Sequence, residues 1–161
     1  MEAIFDWIAA TPINSFVLDS AWTWPTLETL HFIGLCLLMG ALLVMDLRLI
    51  GFERAIPLKV VHSLMPLAIG GFVINLVTGV LFVFGDPHRY GINLAFQLKM
   101  LLVLLAGLNF WLYYAKVEPR LATLGPTDAT PPLAKTVGAV SLVVWFGVLA
   151  FGRLIPYIGT G

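Results

Sequence analysis

The sequence predicts an all-α integral membrane protein, a four-helix bundle preceded by an interfacial amphipathic segment. Three observations predict it. Of 161 residues, 60% are hydrophobic and only 11% charged, where a soluble domain carries about 25% charged residues. Mean hydropathy is +0.96. Four apolar runs each reach the ~20 residues that a helix needs to cross a bilayer. A single membrane domain over 1–161 is expected, because the longest polar stretch, 116–135, is too short and too rich in Pro and Thr to fold alone.

Residues 3–24 are apolar but broken at Thr11-Pro12, with Asn14, Ser15, Asp19 and Ser20 set among Ile13, Phe16, Val17 and Trp24. One or two short helices lying in the interface are expected there, with Trp7, Trp22 and Trp24 in an aromatic belt. The segment lacks the basic start and continuous apolar stretch of a signal peptide, so the first spanning helix is expected to direct insertion. Pro25 suits a first helical turn, and a span over 26–47 follows, ended by Asp46 and Arg48. The second span is expected over 59–84 and a short loop over 85–91. The third runs over 94–115, closing on the aromatics Trp111, Tyr113 and Tyr114. The breaker GPTDATPP at 125–132 precedes the fourth, over 134–156.

Basic residues in short loops set orientation. Arg48, Arg54 and Lys59 fall in one loop, and Lys116, Arg120 and Lys135 in another, whereas the first twenty-five residues hold no Lys or Arg. A multi-pass protein of the bacterial inner membrane is expected, with N- and C-termini periplasmic. Net charge is zero, which gives no footing for nucleic acid as a partner. The single cysteine, Cys36, excludes an intramolecular disulfide and a cysteine metal cage.

Ionisable groups inside spans are costly and mark functional sites. Counting depth at about 1.5 Å per residue, His31, Lys99 and Arg153 fall at one level near the outer face. Glu28 lies one turn above His31 on the same helical face. In the second span Gly71, Asn75 and Gly79 recur every four residues, a stripe of small side chains with one amide. These five polar residues, Glu28, His31, Asn75, Lys99 and Arg153, form the candidate cofactor site. A neutral imidazole suits haem iron as an axial ligand, so His31 is the proposed metal ligand. Lys99 and Arg153 then pair with propionates, and Glu28 orients His31. A quinone, a metal ion or a small solute uses the same residue types, and a network that only locks four helices together is the structural alternative. Asp46 and Arg48 are read as an ion pair or snorkelling pair at the cytoplasmic boundary. His62 is read as a hydrogen-bonded interface histidine, His88 as a solvated loop histidine, and Asn109, like Asn75 where it holds no cofactor, as interhelical glue.

Two segments carry a resemblance. ETLHFIGLCLLMGALLVMDLRLIGFERA, from Glu28 to Ala55, and NLAFQLKMLLVLLAGLNFWLYY, from Asn93 to Tyr114, resemble an uncharacterised family of small four-helix bacterial inner-membrane proteins. More distantly they are similar to the CopD copper-resistance superfamily and to HemJ-type protoporphyrinogen oxidases. His31, Arg48-Leu49 and Lys99 match the HemJ-like order and spacing, although Phe96-Gln97-Leu98-Lys99 lacks the histidine before the lysine. The resemblance implies haem b on His31 and Lys99. The CopD similarity implies copper handling, for which no Met/His-rich outer segment is present.

The expected function is therefore that of a haem-b-binding membrane redox protein, cytochrome b-like, passing electrons near the periplasmic face. Its expected partners are the lipid bilayer, a quinone or periplasmic redox partner, and further copies or subunits of a membrane complex. The alternatives are copper or small-solute transport and a structural anchor subunit.

Overall fold

Within lipid a backbone polar group has no water to bond, so apolar runs of this length settle as helices. The computed structural model describes residues 2–52, 54–121, 123 and 129–158. Helices α1 (Glu2–Ala9) and α2 (Pro12–Leu18) precede the first long helix, α3 (Thr23–Ile50). Then come α4 (Leu58–His62), α5 (Met65–Gly85), α6 (Pro87–Ile92), α7 (Leu94–Leu112), a π-helical turn (Tyr113–Val117), α8 (Glu118–Leu121) and α9 (Pro132–Leu154). No strand occurs among the described residues. Four helical segments are long and apolar enough to cross a membrane, and side chains such as Leu104, Leu108 and Val143 stand more than 60% exposed on their outer faces. An apolar surface of that extent suits lipid contact rather than water.

Capping chemistry sets several boundaries. Thr11 accepts from the Asn14 backbone N–H, with Pro12 at the first position of α2. The expected loop over 85–91 is instead the short helix α6, because Asp86 caps it through the Arg89 N–H and Pro87 opens it. Asn93 caps α7 through the Phe96 N–H. At the other end of α3, Asp46 and Arg48 do not stop the helix. Gly51 does, with φ of 108° and its N–H returned to the Leu47 and Arg48 carbonyls, a left-handed turn that favours glycine. The second span is broken at Ser63–Leu64 into α4 and α5. The third continues past its aromatic end through the π turn to Leu121, with Pro119, which has no N–H to give, just beyond it.

The helices pack in the order α5–α3–α9–α7, and α5 and α7 are not closely packed on one another. The α3–α5 seam is tight because it is made of glycine. A Cβ on Gly34 would come within 2.9 Å of the Gly71 carbonyl oxygen, so only small residues let these backbones approach. The main buried cluster, with Met45, Leu49, Met65, Tyr113 and Val137, lies toward the end of the bundle that carries the 51–57 and 116–131 connections. We call this the loop end and the opposite one the terminal end, since α1, α2 and the close of α9 gather there. Helix α2 docks on the close of α5, where Asn14 Nδ2 donates to the Phe84 carbonyl at 2.7 Å and Val17 is buried. Helix α1 buries no residue, and Ile4, Trp7, Phe16 and Trp22 stay exposed around it and α2, as an interfacial segment requires.

Candidate functional site

At the terminal end, His31 on α3 faces Thr78 on α5. His31 Nδ1 lies 2.7 Å from Thr78 Oγ1, and the same hydroxyl donates to the Ile74 carbonyl at 2.7 Å. A hydroxyl has one proton. With that proton given to Ile74, Thr78 receives the His31 Nδ1–H, which leaves Nε2 as the ring's free lone pair. Phe82 meets the imidazole edge-on at 5.5 Å between centroids and holds its plane. The half-buried Lys99 side chain lies across Gly152 of α9, within electrostatic reach of His31. Among the described residues Lys99 has no acidic partner.

The remaining residues of the expected cluster are spread around this pair. Glu28 is exposed and accepts from Trp24 Nε1 at 3.1 Å; the acceptor that orients His31 is Thr78, not Glu28. Asn75 makes no interhelical hydrogen bond of the kind expected: it gives its amide to its own helix, at the Gly71 carbonyl, 3.0 Å away, and packs against Gly34. Arg153 is exposed and lies 5.2 Å from the Tyr157 ring centroid. The structure thus sets Lys99, lying across Gly152, within electrostatic reach of His31 and leaves Glu28, Asn75 and Arg153 on the rim or the seam. Nearby, on α6, burial pushes the Tyr90 phenol above its ordinary range, with the Asp86 and Glu28 carboxylates adding and Arg89 opposing. His88 pairs with Asp6 at 3.1 Å, both side chains being largely exposed.

The loop end departs further from expectation. Asp46 and Arg48 are both buried and make no ion pair with each other. Two residues apart on a helix they point to opposite sides. Arg48 donates to the Ile56 carbonyl at 2.6 Å and reaches Thr130 Oγ1 at 3.4 Å, so it staples the connections rather than snorkelling to water. Asp46 turns into the bundle on the side of Ser141 of α9, and among the described residues its Oδ2 has no hydrogen-bond partner. It faces a cavity of about 280 Å³ walled by all four long helices, with Leu38, Phe72, Val103, Asn109 and Trp145 among the lining side chains. None of Glu28, His31, Asn75, Lys99 or Arg153 lines it. Tyr113, at the start of the π turn, also lines it and bonds His62 Nδ1 at 3.0 Å through its hydroxyl. Single π turns are frequent at functional sites. Asn109 gives its amide N–H to the Val137 carbonyl at 3.1 Å, the interhelical bond expected of it.

Fold and site together define a small polytopic membrane protein. It presents an imidazole and a lysine amine at one end and, at the other, a buried carboxyl that lines an apolar cavity and whose Oδ2 has no partner among the described residues. The chain belongs to the family of unknown function DUF6644, whose model matches residues 15–158. No curated protein and no solved structure matches it.

Proposed function

We propose that this chain is a haem-b-binding protein of the bacterial inner membrane that takes part in electron transfer near the periplasmic face, with His31 as axial ligand. The observation that carries the reading is the Thr78–His31 bond. A histidine ligand normally donates its second ring N–H to a fixed acceptor, which sets the tautomer and raises its basicity. His31 has that arrangement before any ligand is considered. Lys99 adds a cation with no acid of its own beside it, suited to a propionate carboxylate, and Arg153 offers a second cation at the rim. Bound haem supplies one-electron exchange at its iron. The chain's own residues hold the proton on Nδ1, steady the ring against Phe82 and place positive charge at the carboxylates.

We carry over the HemJ-like order of His31, Arg48-Leu49 and Lys99 read from the sequence, which points to the same two residues. A bare copper ion fits less well. Among the described residues no three His, Cys, Asp or Glu converge, whereas a metal already held by a macrocycle needs one axial side chain. The reading places both termini in the periplasm, with a quinone or a periplasmic carrier as redox partner.

An absorption spectrum of the purified protein tests it. A Soret band is expected, lost in His31→Ala. Wild-type protein that takes up no haem on reconstitution, and stays without a Soret band, overturns the reading.

A further inference from the structure

We propose that the loop-end cavity binds a lipid-soluble hydroxylated aromatic ring of the quinol class, whose hydroxyl donates to Asp46 Oδ2. The site lies fifteen residues along α3 from His31, about 22 Å at 1.5 Å per residue, and does not depend on the haem reading.

Four observations point to this occupant. First, Asp46 is 4% exposed and among the described residues its Oδ2 meets no donor. A buried polar atom left unmade costs about 1–3 kcal/mol, and a carboxyl retained there is explained by a donor that arrives with a ligand. Second, the wall is apolar and aromatic, with Phe72 and Trp145 meeting edge-on at 6.1 Å between centroids and Phe110 and Tyr113 on the α7 side. Third, the cavity of about 280 Å³ is roughly twice the ~150 Å³ of an apolar cavity that admits benzene, enough for a substituted ring. Fourth, it reaches the lipid-facing surface between α5 and α7, which are not closely packed. Ile69 and Phe110, one from each helix, line it and are both 43% exposed. A ligand dissolved in the bilayer can enter there.

The hydrogen-bonding capacity selects the head group. One free carboxyl oxygen matches one O–H donor, whereas an ammonium brings three donors into a wall that cannot satisfy them. Asn109, its N–H committed to Val137, contributes its side-chain oxygen as a second acceptor for a ring with two hydroxyls.

Gly107 gives the site a means of closure. It lines the cavity, and a Cβ built on it meets no atom within 4 Å. A large side chain at this exposed rim position can therefore be added without disturbing the bundle, and replacing a helical glycine does not cost helix propensity.

The test uses tetramethylhydroquinone under anaerobic conditions, titrated into the full chain in detergent micelles while tryptophan emission is read. Saturable quenching is expected, lost in Trp145→Phe. The dimethyl ether of the same ring, which has no O–H, is expected to bind at least tenfold more weakly. Asp46→Leu should abolish that preference, and Gly107→Phe should weaken binding at least tenfold while the protein elutes and unfolds as the wild type does. Absence of saturable quenching overturns the proposal. So does quenching that survives Trp145→Phe, equal binding of the ether, or unchanged binding in Gly107→Phe. A protein that never shows a Soret band overturns the haem reading and leaves this measurement intact.

Discussion

Thr78 takes the Nδ1 proton of His31 across the α3–α5 seam, 2.7 Å away, while handing its own to Ile74. The bond ties the tautomer of a side chain on one helix to the backbone of another. Thr78→Val keeps the side-chain shape and removes the acceptor. Loss of such an outer partner typically costs 10–100-fold in metal affinity. Haem retained by Thr78→Val should fall by about that factor, read from the Soret absorbance after dilution, and Thr78→Ser should restore it. Equal retention in wild type and Thr78→Val would show that the hydroxyl does not act through His31.

Lys99 is half-buried and without an acidic partner among the described residues. A cation beside an iron centre opposes the extra positive charge of the oxidised state and so raises the reduction potential. Lys99→Met should lower the midpoint potential by on the order of 60 mV, one decade for a one-electron couple. Lys99→Arg should leave it near the wild-type value. A spectroelectrochemical titration separates the two, and a rise in Lys99→Met contradicts the assigned role.

Asp46 shows what was legible in the sequence and what was not. The four spans follow from apolar length alone, whereas the Gly51 stop of α3 and the Asp86 cap of α6 stand beside charges and turn residues that point to an earlier stop and to a loop. Beside Arg48 at the close of an apolar run, Asp46 reads as a boundary charge. Its true direction depends on which side of α3 meets α9, a matter of helix packing that no single span encodes. Thr78 was hidden for the same reason. It falls between Asn75 and Gly79 of a visible small-residue stripe, but only docking on α3 reveals its partner. Ser141, a hydroxyl inside the fourth apolar run, is the one sequence sign that α9 presents a polar group to the interior. The pairing of Glu28 with Trp24, four residues earlier on the same helix face, was open to the same spacing argument that linked Glu28 to His31.

A carboxyl kept for a ligand should be a burden to the empty fold. Asp46→Leu removes the unpartnered Oδ2 and fills part of the cavity, so it should stabilise the protein by roughly 1–3 kcal/mol, seen as a higher thermal midpoint in detergent. Sites that trade stability for function behave this way. A clear loss of stability would instead make Asp46 a structural residue of the α3–α9 contact.

Asn93 has no exposed surface and makes three bonds at once. Its Oδ1 caps α7, and its Nδ2 donates to the Ile155 and Ile158 carbonyls at 2.9 and 2.6 Å. It therefore fixes the start of α7 to the close of α9, the two helices that carry Lys99 and Arg153. Asn93→Ala should cost about 2–4 kcal/mol, the sum of a lost cap and stranded carbonyls. Asn93→Asp keeps the cap and loses the donors, so it should fall between. A thermal midpoint series of the three proteins orders them, and equal midpoints for Asn93→Ala and wild type would remove the tie from the account.

Orientation decides whether His31 and Lys99 lie near the periplasm. Six of the nine Lys and Arg residues flank the two loop-end connections, Arg48, Arg54 and Lys59 at one and Lys116, Arg120 and Lys135 at the other. Positive charge resists transfer across the inner membrane, so those connections should stay inside and the terminal end should face out. Cys36 is exposed on the outer face of α3, and Cys36→Ser clears the background for labelling. In that background Asp19→Cys should react with an impermeant maleimide in intact spheroplasts, and Thr123→Cys only after lysis. Both positions are exposed, so access is set by the membrane and not by burial. The reverse pattern would put the His31–Lys99 pair at the cytoplasmic face, and a cytoplasmic redox partner would then have to replace the periplasmic one.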